Sequence, residues 1–578
     1  MSILSALARA YERLPGAPVP GYSIEKIGFA VALNDDGSVA NLTDLRTGDG
    51  RKKQPRMMQV PTSFKRPGTS PKPFFLWDKT AFALGVTAVE GRNGTAQFAA
   101  FRDYHLARLA DSQDAGLRAL RMFLSTWSPD QFLAPLWPDD MKDQNVVFAL
   151  ESERLRGRYI HDRDAARALG DTGAADEGGG PAAICLVSGN AGPIARLHPA
   201  IKNIWGGQSS GGSIVSFNLD AFTSYGHDQG ANAPVSEAAA FKYTTALNAF
   251  LAGKSNRLQV GDASTVFWAD AADAEAAQVV ESIFGSSFNE IDEAVEAGKV
   301  GAILKRIRDG VVWEQAVQGI APELATGVRF HVLGLAPNAA RISIRFWFED
   351  EFGVLAKNYQ RFVADMAIDP APREGYPPLW RYLNETAVLG KRENVQPNLA
   401  GEWMRSILHG TRYPLTLLNA VLVRIRADGD VNALRAAMLR AMLVRNYRME
   451  VGRQQDKSKE APVSLDTENT NKGYLLGRLF AAYEQAQTAA LGRNVNATIK
   501  DKFYGSASAT PRKVFALLEK GSANHLSKVG KQRPGQRVNL EKTIGAIMEA
   551  MDPGAEPFPA SLPAEDQALF GLGYYHQR

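Results

Sequence analysis

The chain reads as an α+β protein: a large mixed α/β N-terminal region followed by a C-terminal helical bundle. Three observations predict this. The stretch GYSIEKIGFAVALNDDGSVANLTDL (21–45) alternates like two strands around a turn at Asn34–Gly37. GVRFHVLGLAPNAARISIRFWFED (327–350) forms two β-rich runs around a Pro-Asn turn, with arginines alternating against apolar residues as on a half-buried sheet. From about residue 412 the spacing becomes helical, in VNALRAAMLRAMLVRNYRM, YLLGRLFAAYEQAQTAAL and LEKTIGAIMEAM.

Composition sets the frame for these elements. At 578 residues and 45% apolar content the chain can bury several cores, roughly three to four domains' worth. The segments expected are 1–160 with a basic loop at 51–72, 182–410 with a Gly/Ser/Asn-rich block at 198–236, and 412–578 as the bundle. Charged residues at 22% exclude a wholly disordered chain, and a net charge of +4 means any basic footprint must come from local clustering. Cys185 is the single cysteine, so no intramolecular disulfide forms and a reducing compartment is expected. The N-terminal MSILSALARAYERLPG is broken by Arg9, Glu12 and Arg13 and is no secretory signal. Its Ile3, Leu4, Leu7, Tyr11 and Leu14 share one face of a short helix. No run reaches the ~18 apolar residues of a membrane span, so a soluble cytoplasmic protein is expected.

The remaining elements follow in order. Residues 51–72 (RKKQPRMMQVPTSFKRPGTSPK) are expected as a Pro-rich loop with seven Lys/Arg and no acid. Residues 162–181 end in an exposed Gly/Asp-rich loop. ICLVSG (184–189), SIVSFN (213–218) and TVFWAD (265–270) read as strands. Ser236 is an N-cap for a helix burying Phe241, Leu247 and Leu251. Asp369–Pro378 is extended. In the first helix of the bundle, Leu434, Met438, Ala441 and Met442 fall near one face, with Arg435, Arg440 and Arg445 elsewhere.

The glycine- and serine-rich IWGGQSSGGSIVSFN (204–218) raises the question of a phosphate cradle. It is no Walker loop, because no Lys-Ser/Thr pair opens a helix after it. It is no dinucleotide fingerprint either, since it leads towards a strand. Two readings stay open: a plain surface loop, or a loop that lets a nucleic-acid backbone or base edge come close. Lys202 and Asn203 before it, and Asn218, Ser224, Tyr225, His227, Gln229 and Asn232 after it, supply the amides and hydroxyls that the second reading needs.

Catalytic candidates are weak. Cys185 has His198 thirteen residues on, but its apolar context fits a buried structural thiol. The eight histidines show no metal-ligand spacing, so no metal site and no cofactor are expected. His161–Asp164 suggests metal-nuclease chemistry superficially and a solvated loop more simply. Glu349, Asp350 and Glu351 read as a solvated turn. No set of residues assembles an active site.

Basic clustering is clearer. Segment 51–72 is one case. The other is 491–542, with eleven Lys/Arg against Asp501, Glu519 and Glu541. Within it KVGKQRPGQR (528–537) reads as a basic loop between helices. Such runs are often only solvated faces, yet Lys/Arg on loops also neutralise phosphates and give sequence-independent affinity.

At these residues the chain resembles the large subunit of the type I-C CRISPR Cascade complex, the Csd-type large-subunit family. The resemblance covers nearly the whole length. It rests on LARAYERLPG…GYS, on HPAIKNIWGGQSSGGSIVSFNLDAFTSYGHDQGANAPVSEAAAFKYTTALN, on VFWA, on VLGLAPNAARISIRFW and on FGLGYYHQR. It implies a non-enzymatic subunit at one end of a guide-RNA ribonucleoprotein with Cascade backbone subunits. That subunit would recognise the motif flanking a double-stranded DNA target, help open the duplex and stabilise the displaced strand, while a separate helicase-nuclease cuts. It also implies that the C-terminal helical part is made separately as a small subunit from an internal start, with Met449 favoured over Met438 or Met442.

Side-chain assignments under this resemblance rest on charge and chemistry. Lys52, Lys53, Arg56, Lys65, Arg66 and Lys72 are assigned to DNA phosphates, with Lys202 and Asn203 beside the central loop. Gln208, Ser209, Ser210, Asn218 and Asn232 are assigned to the flanking motif or to loop-shaping hydrogen bonds, and Gln208 or Trp205 to a wedge. Lys528, Lys531, Arg533 and Arg537 are assigned to guide RNA or the displaced strand. The competing expectations are a metal- or nucleotide-dependent nucleic-acid enzyme and a pure assembly scaffold.

Overall fold

A computed structural model describes residues 2–14, 16–19, 21–48, 53–63, 70–90, 94–169, 182–217, 219–271, 274–289, 298–324, 327–373, 375–449, 461–492, 496–552 and 556–578. The chain forms two compact units, Met1–Pro199 with Val215–Ala246, and Ala200–Ile214 with Leu247–Arg578. The fold is mixed α+β, as expected.

In the first unit, helix α1 (Ile3–Tyr11) buries Leu7 and Tyr11, as its spacing predicts. The run 21–45 holds three strands rather than two, because Gly28 separates β1 (Tyr22–Ile27) from β2 (Phe29–Leu33), with β3 (Val39–Asp44) after the expected turn. β1 pairs antiparallel with β4 (Arg56–Pro61). Part of the expected basic loop is therefore a strand, and the reason is the burial of Met58 and Val60 in a small core with Ile27 and Trp77. Strands β5 (Trp77–Lys79) and β6 (Asn145–Leu150) complete a sheet of order β3-β2-β6-β5. β2 runs parallel to β6 and is buried along its whole length, which explains why FAVAL carries no polar residue. Helices α2 (Thr95–Arg108) and α3 (Ala115–Thr126) bring Phe101 and Phe123 against Phe148 of β6.

β7 (Ala182–Ile184) and β8 (Ala191–Pro193) form a hairpin. The strand expected at 184–189 stops at Ile184. Cys185 instead opens a turn, its N–H donating to Asn190 O at 2.9 Å and its carbonyl accepting from Gly189 N–H at 2.8 Å. Helix α4 (Glu237–Ala252) starts where expected, with Ser236 Oγ accepting from Ala239 N–H at 3.3 Å. Leu247 and Leu251 are buried and Phe241 partly so.

The second unit contains an antiparallel sheet of order β12-β11-β10-β9, built from β9 (Arg257–Val260), β10 (Ala263–Asp270), β11 (Arg329–Asn338) and β12 (Arg341–Glu351). Both expected β-runs are thus strands, but Pro337 and Asn338 pair with Ile342 and Arg341 inside the sheet, and the turn falls at Ala339–Ala340. Helices α5 (Ala274–Phe288), α6 (Lys299–Arg308), α7 (Phe352–Asp365) and α8 (Pro397–His409) join one core with the sheet through Phe267, Phe330, Phe284, Ile307, Phe352 and Trp403. The same core continues through α9 (Leu415–Asp428), α10 (Ala433–Arg448), α11 (Lys472–Leu491), α12 (Ile499–Ala509), α13 (Phe515–Gln532) and α15 (Ala564–Gln577), with Ile547 of α14 (Pro534–Glu549).

The structure departs from the sequence expectation at three further places. SIVSFN forms no strand among its described residues; Ser213 makes one bridge to Arg341 at the start of β12, and Asn218 lies outside the described residues. Arg435, Arg440 and Arg445 are not on a solvated face. All three are buried, because each finds acceptors: Arg435 reaches Asp428 (2.6 Å) and Glu385 (2.8 Å), Arg440 the Ala364 and Asp365 carbonyls, and Arg445 the buried Asp365 (2.6 Å). KVGKQRPGQR is helical rather than a loop. Pro534 takes the first position of α14, where its missing N–H costs nothing, so only Arg533 separates α13 from α14.

Glycines set the contact between two helices of the bundle. Helices α11 and α15 touch through Gly473, Gly477 and Gly573. A Cβ on any of these would overlap the carbonyl oxygen of Asp566, Phe570 or Tyr474, respectively.

Candidate nucleic-acid interface

The central loop is a closed hairpin. Ile201 is buried and exchanges two backbone hydrogen bonds with Gly212, each 2.9 Å. Between them the chain is pinned at two further points. Asn248 Oδ1 accepts from Lys202 N–H at 2.8 Å, and the buried Ser264 Oγ of β10 accepts from Trp205 N–H at 2.9 Å. Asn203, Gly206 and Gly211 hold positive φ, and at Gly211 a Cβ would stand 2.7 Å from Ile201 O. That is the physical use of the glycines: they fold the backbone back tightly, with no phosphate cradle opening a helix. Ile342 N–H donates to Ser213 O at 3.0 Å and fastens the exit of the loop to β12.

The pinned loop leaves its tip in solvent. Lys202, Asn203, Gln208, Ser209 and Ser210 are exposed, and Trp205 is 63% exposed. A rigid base carrying a free indole, an amide and two hydroxyls can stack on a base, or enter a base step, without first paying to order the loop. Arg341 flanks the exit of the loop on β12, a position that sequence reading missed. Its signal was present in the Arg/apolar alternation of RISIRFW.

The second half of the Gly/Ser/Asn block, from Val215, belongs to the first unit. Here Ser224–His227 is a tight turn closed by His227 N–H donating to Ser224 O at 2.9 Å. Tyr225 and Gly226 both have positive φ, and Tyr225 is 98% exposed. Asn232 shapes this turn: Oδ1 accepts from Ser224 N–H (3.1 Å), while Nδ2 donates to the carbonyls of His227 (2.8 Å) and Gln229 (3.1 Å). Of the two roles left open for Asn232, the loop-shaping one is visible.

The basic candidates divide. Lys52, Lys65 and Arg66 lie outside the described residues. Lys53 is exposed and pairs with Asp44 at 2.8 Å, which also holds Arg46. Arg56 opens β4 and is exposed, as is Lys72. In the second unit Lys528 and Lys531 lie on the last turns of α13, Arg533 at the break and Arg537 on the first turns of α14, all exposed. Arg537 pairs with Glu541 at 2.8 Å on its own helix. Gly530 lets the Arg537 chain fold back, since a Cβ there would meet Arg537 Cδ at 2.7 Å.

The catalytic candidates are held in the structure. His161 is buried, not solvated as expected; burial and the nearby Arg167 push its pKa down to about 4. Its neighbour Arg163 is tied to Asp114 (2.7 Å) and Glu153 (2.5 Å). The Gly/Asp-rich residues from 170 to 181 lie outside the described residues. Glu349 pairs with Arg329 at 3.0 Å. Cys185 is buried. Burial pushes its thiol up, but the hydroxyls and amides of Ser188 and Ser236 outweigh this and bring it down to about 6. Its Sγ accepts from Ser236 N–H at 3.2 Å, so the thiol ties the hairpin to the start of α4. His198 Nδ1 shares a 2.6 Å hydrogen bond with Tyr243 Oη. Among the described residues no cluster of three or more His, Cys, Asp or Glu could hold a metal, and no helix is long and apolar enough to cross a membrane.

These elements define an α+β chain whose distinctive surfaces are pinned polar loops and a cationic helix junction. A family model described as CRISPR-associated protein (Cas_Csd1) matches residues 7–578, and the chain belongs to that family of CRISPR-associated proteins. This agrees with the resemblance drawn from the sequence. No curated protein matches the chain.

Proposed function

We propose that this chain is the non-enzymatic large subunit of a cytoplasmic CRISPR RNA-guided surveillance complex. It recognises the flanking motif (PAM) of double-stranded DNA targets, helps unwind the duplex, stabilises the displaced strand and supports recruitment of a helicase-nuclease. Its partners are the guide-RNA ribonucleoprotein with its backbone subunits, target DNA and a separately translated C-terminal small subunit. The observation that carries this reading is the hairpin Ile201–Gly212, which displays Trp205, Gln208, Ser209 and Ser210 on a base pinned to β10 and β12. The structural engagement of Cys185 and Arg163 supports the non-enzymatic part.

The decisive experiment is target binding by the guide-RNA complex with and without this chain. Duplexes with a correct and a scrambled flank are compared across a salt series. The chain is expected to bring tight, flank-dependent binding. Binding and flank preference that survive its removal would reduce it to a scaffold, and metal- or nucleotide-dependent turnover by the isolated chain would make it an enzyme.

The internal start has a structural consequence. Met438 and Met442 are buried in α10, and Met449 follows its last turn. A product begun at Met449 lacks α10, whose Leu439 lies against Gly571 of α15. That face of the free small subunit then needs another cover. Mass spectrometry of the purified complex is expected to show this C-terminal product, and its absence would overturn the internal start.

A further inference from the structure

Helices α11, α12 and α13 line a half-open cavity of about 220 Å³ that neither the loops nor the helix junction described above account for. Its walls are Tyr483, Phe503 and Leu518, with Gly521, Ser522 and His525 along one face of α13. Four features of it point the same way.

The first is the glycine. Gly521 sits inside an 18-residue helix, where glycine costs about 1 kcal/mol relative to alanine. No neighbour requires it, since nothing lies within 4 Å of a Cβ built there. This contrasts with Gly530 on the same helix, which makes room for Arg537. The second is a pair of buried hydroxyls, Tyr483 Oη and Ser522 Oγ, which have no hydrogen-bond partner. Both oxygens lie behind the lining, and the surface the cavity offers is almost wholly apolar, so it suits the face of a ring rather than its polar edge. The third is the wall itself, aromatic and aliphatic, which suits a flat ring. The volume exceeds the ~150 Å³ of an engineered cavity that binds benzene.

The fourth is the charge at the mouth. Lys528 follows His525 by one helical turn, so both lie on one face of α13. Burial first, and then the Lys528 charge, lower the His525 pKa, so the lysine lies close enough to act on the edge of the cavity. Lys502 on α12 is also exposed. An apolar slot with a lysine one helical turn from its edge matches the chemistry of a nucleotide in a single strand: a flat heterocycle joined to a phosphate.

We propose that this cavity takes one unstacked nucleobase of a single-stranded nucleic acid, with Lys528 on an adjoining phosphate. The inference rests on the reading that the chain holds a single strand, and it names the place where that strand is gripped.

The test uses the full-length chain in its complex. The probe is an oligodeoxythymidine carrying one 2-aminopurine or one abasic position, moved along the strand. Gly521→Leu fills the cavity while removing a helix-breaking residue, so its thermal midpoint is expected to equal or exceed that of the unsubstituted protein. Its affinity for the single strand should fall about tenfold, the scale of one base stacked on an aromatic ring. One abasic position should cause a similar loss in the unsubstituted chain and no further loss in Gly521→Leu. The 2-aminopurine emission at that position should change on binding only when the cavity is open. Lys528→Gln, at an exposed site, should lower the salt slope by about one whatever the fate of the first variant.

Unchanged affinity and emission with Gly521→Leu would overturn the proposal. So would a Gly521→Leu chain that binds the strand normally but no longer joins the complex, because the cavity would then hold a protein side chain. Flank-dependent duplex binding is scored separately. If it persists while Gly521→Leu is neutral, only the cavity assignment fails.

Discussion

His105 can occupy the core only as a neutral imidazole. Its Nε2 accepts from Leu76 N–H at 2.8 Å and its Nδ1–H donates to the Phe101 carbonyl at 2.7 Å, so a second ring proton would face a donor. Burial, with the Arg108 charge, lowers its pKa to about 4. His161 and His576 are lowered to about 4 as well, again chiefly by burial. A folded pKa below the ordinary value of ~6.5 means the unfolded chain binds more protons in between. Stability should therefore be full above about pH 6.5 and fall as the pH drops towards 4. His105 alone accounts for on the order of 3 kcal/mol of that loss. Chemical denaturation across this range checks the sign, and a flat profile would contradict the buried neutral rings. Asp365 gives a second expectation. It is buried and accepts from Arg445 (2.6 Å) and Arg448 (2.9 Å), so Asp365→Ala leaves a buried guanidinium unpaired and should cost about 3–5 kcal/mol in denaturant unfolding. None of this was legible residue by residue. Periodicity sends arginine outward by default, and only the acids the fold brings to it reverse this: Asp365 and Glu385 from far along the chain, and Asp428 from the end of the preceding helix.

At the scale of elements, the pinned hairpin makes Trp205 and Gln208 separable in experiment. Trp205→Ala should weaken target binding several-fold with little change in stability, because the indole is mostly in solvent. Gln208→Ala should relax the flank preference; unchanged affinity and unchanged preference would remove its assigned role. Competition binding with flank variants measures both. The glycine contact between α11 and α15 is a packing prediction instead. Gly477→Ala should destabilise by about 1–3 kcal/mol, read as a lower thermal midpoint, since the added methyl meets the Phe570 carbonyl. Sequence reading found the strands of 327–350 and the helices after 412 because their patterns are local. It misassigned SIVSFN because alternation alone supplies no neighbouring strand, and KVGKQRPGQR because Pro534 starts a helix as readily as it breaks one.

For the molecule as a whole, a net charge of +4 leaves nucleic-acid affinity to a few clusters. Replacing Lys528, Lys531, Arg533 and Arg537 together by alanine should weaken binding for all sequences alike. The salt slope should fall by about one for each phosphate no longer neutralised, up to about four. A loss confined to one flank sequence would show base reading at the helix junction instead. The candidate loops were legible from composition, since glycine, serine and asparagine crowd into 203–232. Their division was not. The chain leaves the first unit at Ala200, returns at Val215 and leaves again at Leu247, and no local pattern records such a crossing.

The contact between α11 and α15 also bears on how this protein would respond to random mutation. Gly473, Gly477 and Gly573 admit no side chain, although they touch only helix. In a deep mutational scan these codons should be depleted as strongly as the active site of an enzyme, while Gln208 and Lys528 tolerate many substitutions unless the selection demands target binding. A survival map of this chain would thus be brightest where two helices meet, and its nucleic-acid surface would emerge only by subtracting an abundance map from an interference map.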